Sequence, residues 1–137
     1  MIVDELKIIK LPKHVDSRGS LTFIEEKSII PFEIKRAYYT YDLKSDIARG
    51  GHAHKENYGL IIAISGSFIV KTDDYFNKKE FYLSKPDEGL LIPPLYWREL
   101  YEFKNNAICL ALGSALYNED EYIRSYSEFV KIKTKIL

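Results

Sequence analysis

Two histidines with one residue between them are the first sign of chemistry in this chain. Only three histidines occur, and His52 and His54 lie in the run RGGHAHK at positions 49–55. A β-strand alternates its faces, so both imidazoles would point the same way from a strand. Neighbouring imidazoles can ligate a metal ion or transfer protons. The alternative is that both histidines lie on the polar, solvent-facing side of an outer strand. The rest of the sequence must decide between a functional pair and such a surface.

The composition favours one β-rich domain. The chain has 137 residues, 46% of them hydrophobic, with 11 Tyr and 7 Phe. This length fits a single domain over residues 1–137, and aromatic side chains suit pleated, half-buried strands. Lys plus Arg and Asp plus Glu both number 20, so bulk charge gives no reason to expect a nucleic-acid partner.

The apolar segments are too short for a membrane protein. No run approaches the ~20 residues that a membrane-spanning helix needs. The N-terminus carries an acidic pair and lacks the basic start and apolar stretch of a signal peptide. We therefore expect a cytoplasmic protein with no membrane partner.

Short strand-like runs are separated by turn signals, at the spacing typical of a sandwich or barrel. Gly66 interrupts one apolar stretch and indicates a bend or bulge there. Turns are predicted at residues 16–20, 73–79 and 85–89, where Asp, Asn, Gly and Pro cluster. The predicted strands are 21–24, 34–41, 60–65, 67–72, 80–83, 90–93, 96–103 and 107–112.

The C-terminal segment has a different pattern. Asn118 can cap a helix, Glu121 would complete a capping box, and Tyr117 and Tyr122 would form a hydrophobic staple. Apolar residues then recur at helical spacing. These signals predict one C-terminal helix over residues 118–131, packed on the outside of the sheet.

The histidine spacing resembles the first motif of the cupins, which is His-x-His followed by a Glu and then a Gly. Gly66 matches the glycine, but Tyr58 and Gly59 stand where the Glu should be. The second cupin motif brings a Pro and then a third His, and here Arg98 follows Pro93 at about that position. A cupin metal needs roughly three His and one carboxylate. The resemblance therefore implies an all-β, cupin-like antiparallel barrel, or jelly roll, with no metal and with an anionic ligand.

A more specific resemblance extends over nearly the whole chain. Five segments, in order, are similar to the sugar-nucleotide 3,4-ketoisomerases, cupin enzymes that act on dTDP-4-keto-6-deoxyglucose: residues 16–21, 30–39, 49–55, 97–99 and 117–124. The resemblance implies an isomerase of deoxysugar biosynthesis, leading to 3-amino-3,6-dideoxyhexoses. It further implies a homodimer without metal or cofactor, a dTDP-linked keto-sugar as substrate, and His52 and His54 as catalytic residues. Gly51 and residues 57–59 depart from the family pattern, which leaves the C4 stereochemistry of the product open.

Further candidates would bind the substrate. Arg36 and Tyr38 share a strand face and are candidates for a polar cavity, whereas Tyr39 and Tyr41 on the other face are expected to pack between sheets. Three arginines could together hold a diphosphate through bidentate bonds, although each has an alternative interpretation as surface charge. These are Arg18, Arg49 and Arg98.

Three functions are weighed. The first is the ketoisomerase, in which an imidazole removes the C3 proton of a 4-keto sugar to give an enediol; His54 is favoured as the base and His52 as the group that orients the substrate. The second is a metal-dependent cupin enzyme, which the absent Glu and third His disfavour. The third is a non-catalytic sugar-nucleotide binding module, which would keep the arginines without needing two histidines on one face.

Overall fold

The computed structural model describes residues 5–135 and is built almost entirely from antiparallel strands. Eight strands form one curved sheet, and two form a separate hairpin. The predicted all-β fold with one C-terminal α-helix is confirmed for these residues. The strands are β1 (Lys7–Lys10), β2 (Lys13–Asp16), β3 (Gly19–Thr22), β4 (Arg36–Thr40), β5 (Arg49–His54), β6 (Gly59–Asp73), β7 (Lys78–Leu83), β8 (Glu88–Ile92), β9 (Trp97–Gly113) and β10 (Tyr122–Ile123), and α1 is Tyr126–Lys135.

Two long strands, β6 and β9, run antiparallel through the centre of the fold and link its two halves. The first part of β6 pairs with β8, and its last part pairs with β7. In the same way, β9 pairs with β5 near its start and with β4 near its end. Runs that the sequence presents as separate strands are therefore continuous strands with a bend.

Gly66 makes the bend in β6. Its φ is +65°, and a Cβ there would lie 2.2 Å from the backbone oxygen of Lys104. Only glycine fits this conformation and this close approach. Asn105 and Asn106, both with positive φ, make the matching turn in β9. The predicted bulge is thus confirmed, and it curls the sheet around its core.

The main core fills the space that this curvature creates. Large side chains from β6, β8 and β9 are almost completely excluded from water, and such burial is worth about 1.5–3 kcal/mol for each side chain. The most buried members of the core include Phe68, Val70, Leu83, Leu90, Ile92 and Phe103.

No helix within residues 5–135 is long and apolar enough to cross a membrane.

The predicted start of the C-terminal helix is wrong. Asn118 does accept a hydrogen bond from the Asp120 amide, but it caps only a 3₁₀ turn, Glu119–Glu121. The chain then extends as β10 to pair with β5, and α1 begins at Tyr126. Backbone pairing with β5 outweighs the local capping signals, because the carboxylate of Glu121 bonds to residues far away in the chain instead of returning to Asn118.

A second prediction, that Tyr39 and Tyr41 pack between sheets, is also wrong. The two residues are 63% and 61% exposed. Their rings lie against each other on the outside of the sheet, with centroids 5.9 Å apart. The other face of β4 carries Arg36, which is partly buried, and Tyr38, which is 41% exposed.

Candidate active site

Strand β5 carries both histidines and is held between β9 and β10. His52 lies opposite Arg98 on β9, and His54 lies opposite Tyr122 on β10. Ala53, between the histidines, is completely buried and belongs to a cluster with Trp97, Ile123 and Phe129. Because neighbouring residues of a strand point to opposite faces, this packing of Ala53 against α1 turns both imidazoles toward the other side.

The two imidazoles are direct neighbours. Their ring centroids are 5.0 Å apart with an interplanar angle of 83°. His54 is 1% exposed, and His52 is partly buried. Within residues 5–135, Nδ1 of each ring is buried without a hydrogen bond of normal geometry, although the Gly50 carbonyl lies near enough to His52 to favour its protonated form slightly. The pair therefore has ring nitrogens that a ligand could engage.

Arg98 places a positive charge beside the pair. Its side chain is 4% exposed, and burial lowers its pKa to about 10, so it is charged at neutral pH. Nε donates to the Tyr96 carbonyl oxygen at 3.2 Å. Nη2 is buried without a partner, and no carboxylate within residues 5–135 forms a salt bridge with it. A buried cation in this state is suited to an anionic ligand.

Arg36 brings a second positive charge to the cluster. Its guanidinium carbon lies 5.1 Å from the ring centroid of Tyr38, 5.7 Å from that of Tyr117 and 5.9 Å from that of Tyr122. These distances are within the range of cation–π attraction. Burial raises the pKa of the Tyr38 hydroxyl, although Arg98 and Arg36 both oppose this. Tyr38 is therefore a neutral hydrogen-bond donor at pH 7.

Burial and positive charge keep both histidines neutral. Loss of water, followed by the charge of Arg98, lowers the pKa of His52 to about 4 and that of His54 to about 2. Repulsion between the two imidazoles is a smaller influence on His54 than either of these. At pH 7 both rings can therefore accept a proton, as a general base must.

Two of the predicted substrate-binding arginines, Arg18 and Arg49, are exposed on the surface. Arg18 is at the exposed tip of the β2–β3 hairpin, where Nη2 donates to Oδ2 of Asp16 at 2.6 Å. Arg49 is exposed at the start of β5, opposite Leu100. The arginines that lower the pKa values of the two histidines most are Arg98, Arg36 and Arg124. The binding roles of Arg18 and Arg49 stay predictions.

A metal site was not expected, and the described side chains offer no obvious one. Between residues 5 and 135, no three His, Cys, Asp or Glu side chains come together in an arrangement that could hold a metal ion. The position of the third cupin histidine is taken by Arg98, whose positive charge opposes a cation.

The sequence interpretation missed the contribution of β10. The Tyr122 ring centroid lies 4.5 Å from that of His54 and 5.0 Å from that of His52. The Arg124 guanidinium carbon lies 4.4 Å from the centroid of the Tyr122 ring. The signal that could have revealed them is their place in the fifth matching segment, 117–124, which was assigned to a helix.

Comparison with known proteins identifies the family. The protein-family model described as "FdtA: WxcM-like, C-terminal" matches residues 4–134. This chain belongs to that family. The family resemblance drawn from the sequence and the predicted cupin-like barrel are both confirmed.

Relatives within the family share both sequence and structure. A curated protein from Aneurinibacillus thermoaerophilus, named TDP-4-oxo-6-deoxy-alpha-D-glucose-3,4-oxoisomerase, is 42% identical over 132 residues, which cover 96% of this chain and 95% of the relative. The crystal structure of a 3,4-ketoisomerase from Helicobacter canadensis is 44% identical with a TM-score of 0.92, covering 95% and 98% of the two chains. A histidine-to-asparagine mutant of the 3,4-ketoisomerase from Thermoanaerobacterium thermosaccharolyticum, in complex with TDP-4-keto-6-deoxyglucose, is 36% identical with a TM-score of 0.93, covering 98% and 97%.

Proposed function

We propose that this chain is an isomerase that converts a dTDP-linked 4-keto-6-deoxyhexose into its 3-keto isomer, in the biosynthesis of 3-amino-3,6-dideoxyhexoses. The observation that carries the proposal is the buried, neutral pair His52 and His54 beside the unpaired cation of Arg98. Relatives at 36–44% identity over nearly the full chain bear the names of 3,4-ketoisomerases.

The reaction moves one proton between two carbons. The C4 ketone acidifies the C3 hydrogen, and a neutral imidazole removes it as the C3–H electron pair forms the C3=C4 bond. The C4=O π electrons move to the C4 oxygen, which takes up a proton to give an enediol. A proton then adds to C4, and the C3 hydroxyl loses its proton to become the ketone. C3 is oxidised and C4 is reduced within one molecule, so the reaction balances without an external oxidant or a cofactor.

His54 is the proposed base. It is the more deeply buried of the pair, and a base must approach within about 3 Å of the atom it serves, so one ring can be better placed for C3 than the other. A pKa of about 2 in the free protein makes His54 a weak base. An anionic substrate beside Arg98 would offset the positive charge of the guanidinium and stabilise the protonated form of His54. Substrate binding should therefore raise the pKa of His54.

The neighbouring side chains would stabilise the enediolate. His52 and the Tyr38 hydroxyl can direct donor groups at its oxygens, which is the arrangement that lowers the barrier for such intermediates. General acid–base assistance itself is typically worth ~10²–10⁴-fold. No metal is needed in this scheme, because these donor groups can stabilise the negative charge of the enediolate.

Arginines are proposed to bind the diphosphate of the nucleotide. Arg98 is the best supported, because its charge is buried and unpaired. Arg36 and Tyr38 line the same cluster and would contact the sugar or the diphosphate. Arg18 and Arg49 offer exposed guanidinium groups that could contribute bidentate bonds.

We further propose a single cytoplasmic domain over residues 1–137 that forms a homodimer. Exposed aromatic and aliphatic side chains, among them Tyr39, Tyr41 and Ile64, line a groove of about 660 Å³. Asp42 is the sole charged residue among those lining this groove. A twofold dimer places a surface against itself, and a nearly uncharged surface does not repel its own copy. Light scattering at micromolar concentration should give twice the chain mass, and Tyr39→Asp should reduce it to one; a monomeric wild type would contradict this.

The function is tested by incubating the protein with dTDP-4-keto-6-deoxyglucose and following the sugar by NMR. We expect the 3-keto isomer to accumulate, with its C4 configuration visible in the coupling constants, and we expect chelators to leave the rate unchanged. The double variant His52→Asn and His54→Asn is the control and should bind the substrate without converting it. Binding by the wild type with no conversion would support a non-catalytic module instead.

A further inference from the structure

Strand β10 is too short to hold its position by strand pairing alone. It consists of Tyr122 and Ile123, which lie opposite His54 and Ala53 of β5. The residues before it form a single 3₁₀ turn, and α1 begins only at Tyr126. Something else must fix the segment, because two paired residues form too few ladder hydrogen bonds for a stable strand.

Glu121 is the residue that fixes it. Its carbonyl oxygen accepts a hydrogen bond from the Lys55 amide at 3.0 Å. Its carboxylate Oε1 accepts from the amides of Glu56 and Asn57 at 2.5 and 2.6 Å. Three successive backbone N–H groups, which directly follow the catalytic strand, therefore converge on one residue. Hydrogen bonds to a carboxylate are about twice as strong as those between neutral groups.

A second connection supports the same segment from its other end. The buried side chain of Asn57 accepts from the Ala115 amide at 3.1 Å. Ser114 Oγ accepts from the Tyr58 amide at 2.8 Å. The stretch after β5 and the stretch before β10 are thus joined at both ends, while Glu121 makes the contacts closest to the histidines.

The residue that these contacts place is Tyr122. Its ring centroid lies 4.5 Å from His54 and 5.0 Å from His52, so a single aromatic ring covers both imidazoles. Arg124 packs against the same ring, with its guanidinium carbon 4.4 Å from the centroid. A ring in this position excludes water from the histidines and restricts the orientation of both.

We propose that Glu121 is a positioning residue, which holds the Tyr122 ring against His52 and His54 and thereby keeps the pair dry and oriented for proton transfer. This inference rests on the proposed function for its effect on catalysis, but its structural effect can be measured without turnover. Tyr122 acts in it through its ring and not through its hydroxyl.

The test compares Glu121→Ala, which removes the acceptor, with Glu121→Gln, which keeps an oxygen at the same place. Protonation of each histidine is followed by NMR from its ring protons between pH 7 and pH 5, where the wild-type rings are expected to stay neutral, and kcat and KM are measured with the 4-keto sugar. Every charged or titratable group that faces the pair is retained in both variants, so a change reports on hydration and orientation. These groups are Arg36, Tyr38, Arg98, Tyr117, Glu119, Tyr122 and Arg124.

Glu121→Ala is expected to raise the pKa of His54 from about 2 toward its ordinary value and to lower kcat by ~10–100-fold, because small displacements of catalytic groups are costly. KM should change by less than about threefold, because the anion-binding arginines are untouched. Glu121→Gln should retain the pKa values and the rate. Asp120→Asn, a change of the exposed neighbouring acid, is the matched control and should behave as wild type.

Tyr122→Leu and Tyr122→Phe keep the proposal testable if Glu121→Ala does not fold. The leucine variant should reproduce the rise in pKa and the loss of kcat, and the phenylalanine variant should match wild type. The proposal is overturned if Tyr122→Leu leaves both quantities unchanged, or if Tyr122→Phe loses activity as fully as Tyr122→Leu. If wild type fails to convert the sugar while the pKa shifts occur, the proposed function fails and the positioning role stands.

Discussion

Arg98, inside the histidine cluster, differs from the exposed arginines Arg18, Arg49 and Arg124, which together are called the rim arginines. Arg98 is buried, and no carboxylate within residues 5–135 pairs with it. Arg18 and Arg124, by contrast, are exposed and each forms an ion pair, with Asp16 and with Glu119. The charges of Arg18 and Arg124 are balanced by local carboxylates, whereas that of Arg98 has no carboxylate partner within residues 5–135.

The unpaired charge of Arg98 is expected to affect folding stability and substrate binding in opposite directions. An unpaired buried charge lowers stability, because it has lost water without gaining a counter-ion. Such an arrangement is understandable where a ligand supplies the missing anion. Exposed pairs contribute little to stability, since solvent and salt screen them. We therefore expect changes in the interior to have opposite effects on folding and on substrate binding, and changes at the rim to have small effects on both.

The largest expected effect is a loss of stability in weak acid, caused by the interior histidines. Their folded pKa values, about 4 and about 2, lie below the ordinary value of 6.5. The unfolded chain therefore takes up protons first, and the free energy of unfolding should fall as the pH drops below 6.5. For each histidine the loss is roughly 3 kcal/mol by about pH 4.

Denaturant unfolding at a series of pH values between 7 and 4 measures this loss. His54→Asn should remove about half of the pH dependence in that window. The rim carboxylates Asp16 and Glu119 also have lowered pKa values, but they lose their stabilising effect only at lower pH, below 3.8 and 4.5. Equal stability at pH 6.5 and pH 4.5 would show that the histidines are hydrated and not buried.

The next effect distinguishes the interior cation. Arg98→Met removes the buried charge and keeps most of the volume, so the free energy of unfolding should rise by about 1–4 kcal/mol. KM for the sugar nucleotide should rise by ~10–100-fold, because a charge-assisted contact to the diphosphate is lost. Substrate kinetics and denaturant unfolding of the same variant measure both. A variant that is less stable and binds normally would contradict the account of Arg98.

The smallest effect is expected at the rim. Arg18→Ala and Arg49→Ala should each raise KM only a few-fold, because solvent screens exposed charges, and should leave the melting temperature nearly unchanged. Lys10→Ala, which removes an exposed cation paired with Glu88 elsewhere on the sheet, is the control and should not change KM. If all three arginine variants, including Arg98, leave KM unchanged, the assignment of an anion site is wrong.

The histidine pair and the strands around it could be predicted because they depend on local rules. Alternation along a strand is enough to place His52 and His54 on one face, and Gly66 marks a bend through its unusual backbone freedom. The cupin-like barrel and the ketoisomerase reaction were then predicted from the resemblance to a known family.

What could not be predicted depends on contacts between distant residues. Asn118 and Glu121 form a valid capping pattern, yet Glu121 bonds to amides about 65 positions earlier in the chain. Tyr122 therefore became part of the site and not of a helix. Likewise, Arg36 gives no local sign of the three rings that surround it, since those rings come from β4, β10 and the segment before β10.

The most direct test of the central claim is hydrogen exchange at C3 of the sugar in deuterated water. We expect that wild type exchanges the C3 hydrogen, that His54→Asn abolishes this exchange, and that His52→Asn slows turnover while some exchange remains. If His54→Asn still exchanges C3 at the wild-type rate, His54 is not the base; if both variants do so, the histidine pair does not carry the chemistry.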